Sequence, residues 1–277
     1  MIDEKVNKSI ALLRATCRDK EVELCYSGGK DSDVILELAR MAGINYRAIY
    51  RCTTIDPPGT IKHCKENGVK IVRPKENFFQ IVRRKGIPTR RARFCCEILK
   101  EYKIMDVAIQ GIRRCESKAR ARRYKEPTIC RIYGSKANHV EVIFPILDWT
   151  NSDELEFIKE RCIKLHPLYY CKNGQIDITR RLGCIGCPMQ SDHGLADFKA
   201  HPKIVKQWIV NCQIWFDNLP KNAKSREKFR DACELFTHNV FFNSYELFRQ
   251  AINGGLFGSG NDVNCKAFLE NYFKIEL

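Results

Sequence analysis

Val22-Glu23-Leu24-Cys25-Tyr26-Ser27-Gly28-Gly29-Lys30-Asp31-Ser32 carries an apolar, strand-forming run through two adjacent glycines into a helical pattern, in which Val34, Ile35, Leu38 and Met41 share one face. A strand that turns on glycines into a helix is built to hold phosphate. Gly28 and Gly29 reach backbone angles closed to other residues and leave no side chain between the main chain and a ligand. Backbone N–H groups there can point at an anion, and the helix N-terminus adds partial positive charge. Lys30 would supply a full charge, Ser27 and Ser32 hydroxyl donors, and Asp31 a site for a magnesium ion carrying phosphates. The bland alternative is an ordinary tight turn from strand to helix.

Ser27 to Ser32 resembles the PP-loop signature of the ATP pyrophosphatases, an adenine nucleotide alpha-hydrolase-like superfamily whose members split ATP between its α and β phosphates and transfer AMP. The other common phosphate loop needs four residues between its first glycine and its Gly-Lys pair, a spacing this chain lacks. The resemblance implies ATP as substrate, adenylylation as the chemistry, a loop that grips the departing pyrophosphate, and Lys30 and Asp31 as the catalytic pair.

Strand-like runs recur at residues 22–26, 46–53, 69–73, 106–110 and 140–145, mostly separated by helical patterns. This alternation predicts an α/β fold, a parallel sheet with helices on both faces, in which ligands bind beyond the C-terminal strand ends. The glycine loop, Gly111 and the Thr53-Thr54 pair all follow strands and belong on that rim. Thr150 and Asp153 form a capping box that opens a helix through Leu155, Phe157, Ile158 and Cys162, followed by a turn over residues 165–170. From about residue 196 the pattern is helical, with Ile204, Val205, Trp208, Ile209 and Cys212 on one face. The expected organisation is a nucleotide-binding domain over residues 1–195 and a helical C-terminal extension over 196–277.

At 277 residues the chain can bury a substantial core. It has no run of about 18 apolar residues and no charged-then-apolar leader, which predicts a cytoplasmic protein with no membrane partner. The formal net charge is +15, and nearly all of it falls in residues 73–136, which hold nineteen Lys or Arg against six Asp or Glu. A solvated face carries mixed charge. A one-signed concentration beside a phosphate loop points instead to a polyanion or several phosphates, with nucleic acid as a candidate partner. A nucleotide alone needs only a few of these residues.

The chain has fifteen cysteines, which in a cytoplasmic protein are reduced thiols. Four stand apart: the adjacent pair Cys95-Cys96, and the spaced pair in Cys184-Ile185-Gly186-Cys187-Pro188. A spaced pair followed by proline is a common metal knuckle, and Gly183 and Gly186 let the backbone curl around an ion or cluster. Four thiolates from two loops bind either zinc or a four-iron, four-sulfur cluster. Zinc usually takes two spaced pairs, so the adjacent pair argues for iron and sulfur. The other eleven cysteines, Cys17, Cys25, Cys162 and Cys212 among them, read as small buried hydrophobes.

A double cysteine followed much later by a spaced pair resembles the cluster-binding set of adenylyl-sulfate reductases, in the phosphoadenylyl-sulfate (PAPS) reductase family. The segment from Gly111-Ile112-Arg113 through Glu116-Ser117 to Arg120 looks like that family's nucleotide-contacting stretch after a strand. Asp148-Trp149-Thr150, His166-Pro167-Leu168-Tyr169 and Gly183-Cys184 resemble its run into the second cysteine pair, and the resemblance covers about residues 20–195. Arg113 and Arg120 would fork onto phosphate or sulfate oxygens, a geometry lysine cannot reproduce, or else belong to a solvated basic helix. Arg90, Arg91 and Arg93, just before Cys95, would hold a second anionic group or neutralise an anionic cluster. For His166 a structural hydrogen bond is the better reading than catalysis, and Trp208 and Trp215, on the apolar stripe, are read as packing.

Two departures separate the family's branches. Sulfonucleotide reductases usually carry a degenerate loop, whereas this chain keeps Ser27 to Ser32 complete. They also need a nucleophilic cysteine near the C-terminus in a Glu-Cys-Gly setting with a histidine, and around Cys265 this chain has neither glycine nor histidine in place. The favoured expectation is therefore ATP-dependent sulfur insertion, with magnesium, a sulfur donor protein, and tRNA or DNA as acceptor. A reductase releasing sulfite and a non-catalytic nucleic-acid-binding module with a structural metal are the alternatives.

Overall fold

The computed structural model describes residues 2–133, 138–254, 256 and 264–277. The chain groups into two compact units, one formed by residues 1–74 with 97–183 and the other by 75–96 with 184–277. The boundary expected after residue 195 thus falls inside the second unit, which also takes in the stretch before the first cysteine pair.

The first unit is built on a six-stranded sheet of β1 (Val22–Tyr26), β2 (Tyr46–Arg51), β3 (Lys70–Val72), β4 (Val107–Ile109), β5 (Thr128–Tyr133) and β6 (Asn138–Ile143), in the order β3-β2-β1-β4-β6-β5. All pairings are parallel except β5 with β6, so the expected α/β architecture is present with one antiparallel edge strand. That edge strand was not among the expected strands. Its alternation lies within the basic segment, and Ile132 is exposed, so only part of its apolar pattern faces a core.

Alternation along the strands shows that both faces of the sheet are covered. Val22, Leu24 and Tyr26 join a core with Val107, Ile109 and Ile143, to which helices Ile2–Thr16, Lys30–Ala42 and Asn151–Glu160 contribute. The intervening Ala108, Val140 and Val142 join a second core with Tyr124, Tyr133 and Phe144. Since successive side chains on a strand point to opposite faces, the two cores lie on opposite sides. Glu23, on the second face of β1, is fully buried and holds the Arg51 guanidinium of β2, with Nη2 to Oε2 at 3.0 Å. Arg51 also donates to the carbonyls of Tyr102 and Lys103, at 2.9 and 2.8 Å, which leaves the buried charge solvated by protein.

The second unit is helical among its described residues. Helix Pro202–Asp217 packs on Phe78–Lys85, and Phe78, Phe198, Trp208 and Phe236 form its aromatic centre, with Phe78 and Trp208 ring centroids 4.9 Å apart. A Cβ at Gly86 would meet the Trp215 ring at 2.8 Å, so both tryptophans pack, as expected from their spacing. No helix among the described residues is long and apolar enough to cross a membrane.

Candidate functional site

Gly28 takes φ +78°, and a Cβ there would press on Leu182 and Thr60 at 3.2 Å, so the turn after β1 requires glycine on both counts. Gly29 caps the Lys30–Ala42 helix without a side-chain hydrogen bond, as a helix terminus open to an anion does. The loop is braced from within: Ser32 Oγ donates to the Gly29 carbonyl at 2.6 Å, and Ser27 Oγ lies 3.2 Å from Ser32 Oγ. The Tyr169 hydroxyl accepts from the N–H groups of Lys30 and Leu182, both at 3.3 Å. Beneath the loop, buried Asp33 accepts from the Tyr26 hydroxyl and pairs with His63 Nε2 at 3.0 Å. His166 caps the turn Pro167–Tyr169 by accepting from the Leu168 N–H at 3.1 Å, which is the structural role expected of it.

The loop opens on a cleft of about 410 Å³, also lined by Gly111, Arg113, Cys115, Glu116, Arg120 and Arg181. A narrower cavity of about 230 Å³, lined in part by Ile49, Tyr50, Ile104, Gln110 and Tyr133, shares Cys25, Ser27 and Leu182 with it. The fold thus brings Ser27, Gly29 to Ser32, Gly111, Arg113 and Arg120 to one cleft within one unit, with Gly28 in the turn behind it.

Their charges are arranged differently from expectation. Arg113, expected to fork onto an anion, is 1% exposed: its Nε donates to Asp31 Oδ1 at 2.6 Å and its Nη1 to Asn151 Oδ1 at 2.9 Å. Its Nη2 stands 2.8 Å from Glu154 Oε2, and Lys30 Nζ lies 2.9 Å from Asp31 Oδ2 and 3.3 Å from the same Glu154 oxygen. Arg113 is therefore a buried brace for Asp31 and not an open anion ligand. Burial opposes ionisation of Asp31, but Lys30 and Arg113 outweigh it and hold its carboxyl below the usual range. Glu154 is driven the other way. Burial and then the Asp31 charge push it up to about 8 against Lys30 and Arg113. Neither Glu154 oxygen has a hydrogen-bond partner among the described residues, which a neutral acid tolerates better than a carboxylate.

Arg120 pairs with Glu116, whose other oxygen lies 3.7 Å from Arg181 Nη2. Burial and the neighbouring Arg181 charge lower the Arg120 pKa, the mark of two guanidiniums sharing one carboxylate. Sequence reasoning missed Glu154, Tyr169 and Arg181. Only the acidic pair Asp153-Glu154 in the capping turn hinted at the first.

All four singled-out cysteines belong to the second unit, and none forms a disulfide. A hydrogen bond with Cys96, then burial, then the nearby thiols of Cys96, Cys184 and Cys187 drive the Cys95 thiol pKa up, so the two pairs do come together. Among the described residues no group of three or more His, Cys, Asp or Glu is arranged to hold a metal ion. A zinc ion would need four sulfurs each about 2.3 Å away, hence nearly touching. The donor set, all thiols, is the ligand type of a four-iron cluster as it is of zinc.

Arg90, expected to bind an anion, is committed elsewhere. Its Nε donates to the Pro188 carbonyl at 2.9 Å and its Nη2 to the Gln190 carbonyl at 2.6 Å. Arg93 Nη2 lies 3.8 Å from Cys96 Sγ, and Arg91 is exposed. The basic segment is divided between the two units, and Arg84, Arg114 and Arg131 pair with Glu76, Asp148 and Glu101. Glu76 and Glu101 are already among the segment's six acids, so of these pairs only Arg114 with Asp148 draws down its excess of positive charge.

A family model described as phosphoadenosine phosphosulfate reductase domain matches residues 21–190. The chain is 29% identical over 228 residues to the uncharacterized protein MJ0973 of Methanocaldococcus jannaschii, covering 75% of this chain and 53% of that one, so it spans about half the length of this relative. It is 27% identical over 200 residues to sulfate adenylyltransferase subunit 2 of Hahella chejuensis, covering 59% and 65% of the two chains. Among solved structures, the U34-tRNA thiolase NcsA of Methanococcus maripaludis with its 4Fe-4S cluster matches at 15% identity and a TM-score of 0.43, over 87% of this chain and 91% of that one. A likeness that low says nothing about this chain's cofactor or substrate.

Proposed function

Since the chain belongs to the phosphoadenosine phosphosulfate reductase domain family, we propose that it binds ATP at the loop Ser27 to Ser32 and adenylylates an acceptor, releasing pyrophosphate, as the first half of a sulfur transfer. The observation that carries this reading is the complete loop at an open helix terminus, facing a cleft with a surplus of positive charge. In the proposed reaction an acceptor oxygen bonds to the α-phosphorus as the bond to the β-phosphate oxygen breaks, and the electron pair leaves with pyrophosphate. A sulfide sulfur then bonds to the acceptor carbon as the bond from that carbon to the adenylylated oxygen breaks, and the electron pair leaves with AMP.

The phosphates, entering as the magnesium complex of ATP, take the polar cleft, where Arg120, Arg181 and the loop N–H groups neutralise the charge gathering on the leaving group. Lys30 turns from Asp31 to the phosphates and frees one Asp31 oxygen for magnesium, while Arg113 keeps the other in place. The adjoining narrower cavity, with its tyrosines and aliphatic side chains, suits the base. A four-iron cluster on Cys95, Cys96, Cys184 and Cys187 would supply a site for a sulfur species. The acceptor we favour is nucleic acid, tRNA or DNA, which the basic segment would meet through its exposed residues, and the sulfur would come from a donor protein.

The reductase reading loses ground on one observation. Cys265, its candidate nucleophile, is 3% exposed, and burial pushes its thiol up to about 12, where little thiolate forms. The deciding experiment follows pyrophosphate release from ATP by anaerobically purified protein, with and without nucleic acid, beside sulfite release from adenylyl sulfate. Pyrophosphate without sulfite is expected. Sulfite without pyrophosphate would make the protein a reductase despite its complete loop.

A further inference from the structure

The spaced pair of cysteines sits in a loop that is held by residues other than cysteine. From one side, Arg90 spreads its guanidinium over three carbonyl oxygens just beyond Cys187: those of Pro188 at 2.9 Å, Gln190 at 2.6 Å and Ser191 at 3.4 Å. Arg90 lies five residues before Cys95, so the same side chain ties the segment of the first pair to the loop of the second. From the other side, Asp197 Oδ2 accepts from the Gly186 N–H at 3.0 Å and from Gln190 Nε2 at 2.7 Å. Gly186 takes φ +72°, and a Cβ on it would lie 2.3 Å from the Phe198 ring. The knuckle is therefore seated on helix Leu195–Ala200 with no room for a side chain.

We propose that Arg90 and Asp197 are positioning residues that close the loop of Cys184 and Cys187 before any metal arrives, so that the second unit folds without its cluster and then receives it. The inference rests on the reading that Cys95, Cys96, Cys184 and Cys187 hold an iron–sulfur cluster. Small metal knuckles commonly depend on the metal for folding, because nothing else closes their loops. Here a planar fork of donors and a carboxylate close the loop instead. The fork explains the choice of arginine: Nε and Nη2 hold their donors on separate nitrogens in a fixed plane, whereas an ammonium's donors all radiate from one atom. Asparagine at 197 would keep an acceptor for the Gly186 N–H, whereas alanine would not.

The test compares wild type with Arg90→Lys, Arg90→Ala, Asp197→Asn and Asp197→Ala, all as the full chain reconstituted anaerobically with iron and sulfide. Iron and acid-labile sulfide per chain, visible absorbance, and the thermal melt and near-ultraviolet circular dichroism of the metal-free protein are measured. Metal-free wild type is expected to melt cooperatively with ordered aromatic signals. Both alanine variants and Arg90→Lys should bind several-fold less iron or lose it several-fold faster, and Asp197→Asn should stand close to wild type. Wild type that takes up no iron would remove the cluster reading itself. Wild type that takes up iron while Arg90→Ala and Asp197→Ala fill and hold it equally well would overturn the inference alone. So would a metal-free wild type whose second unit shows no cooperative melt, and that outcome needs no variant to fold.

Discussion

A Cβ placed on Gly111 would lie 2.9 Å from the carbonyl oxygen of Asp31, closer than a carbon can stand to a backbone oxygen. The strand β4 thus delivers a bare backbone against the phosphate loop, and the loop's position depends on nothing being there.

Gly111→Ala should consequently push the loop out of register. We expect a stability loss of about 1–3 kcal/mol, the usual scale of overpacking, together with at least about tenfold weaker binding of ATP by calorimetry. Unchanged nucleotide affinity would mean that the loop is not the phosphate site.

Asp31 answers to two cations, and its two simplest replacements should differ. Asp31→Asn keeps the shape but turns an amide N–H2, which cannot accept, onto Arg113 or Lys30, so the melt should fall, though less than in the alanine variant, while pyrophosphate release falls by on the order of a hundredfold. Asp31→Ala also strands a buried guanidinium, and should cost about 3 kcal/mol in addition. Full turnover in the asparagine variant would take Asp31 out of the mechanism.

Glu154 makes stability depend on pH in a direction set by burial. Its folded carboxyl titrates at about 8, against an ordinary value of 4.5, so between these values the folded state keeps a proton that the unfolded chain releases. Stability from this group is complete below about pH 4.5 and is lost as pH rises through 8. Asp31, held below its ordinary 3.8, acts outside that window. Glu154→Gln, which mimics the protonated acid, should match wild type near pH 5 and be more stable than wild type at pH 9 in urea unfolding. Parallel stability curves for the two proteins would place the proton elsewhere.

Replacing Cys184 and Cys187 together by serine should abolish visible charge-transfer absorbance and bound iron. Nucleotide binding should survive, since the loop and its cleft belong to the other compact unit. A surviving visible spectrum would show that these thiolates are not the ligands.

Much of this was legible beforehand because it is local. The capping box of Thr150 and Asp153 formed as read, with the Thr150 N–H donating to Asp153 at 2.6 Å, since it needs only residues three apart. The apolar stripe from Ile204 to Cys212 forms one helix for the same reason. The edge strand β5 escaped because its pairing with β6, and not its own composition, makes it a strand. Glu154 escaped because an acid at the start of a helix ordinarily faces water, and nothing in its neighbours along the chain says otherwise.

The sequence by itself determined the alternation of strands and helices, the glycine turn that aims a helix terminus outward, and the two pairs of cysteines, because these depend on residue type and short spacing. Only the tertiary structure decided which charges are free. Asp31 and Arg113 are 82 residues apart and Arg90 and Pro188 are 98 apart, so a linear reading sees arginines available for phosphate where the folded chain has already spent them on its own carboxylates and carbonyls. Burial and partnership are sums over the whole chain, and a lone arginine in a sequence carries no record of what will face it.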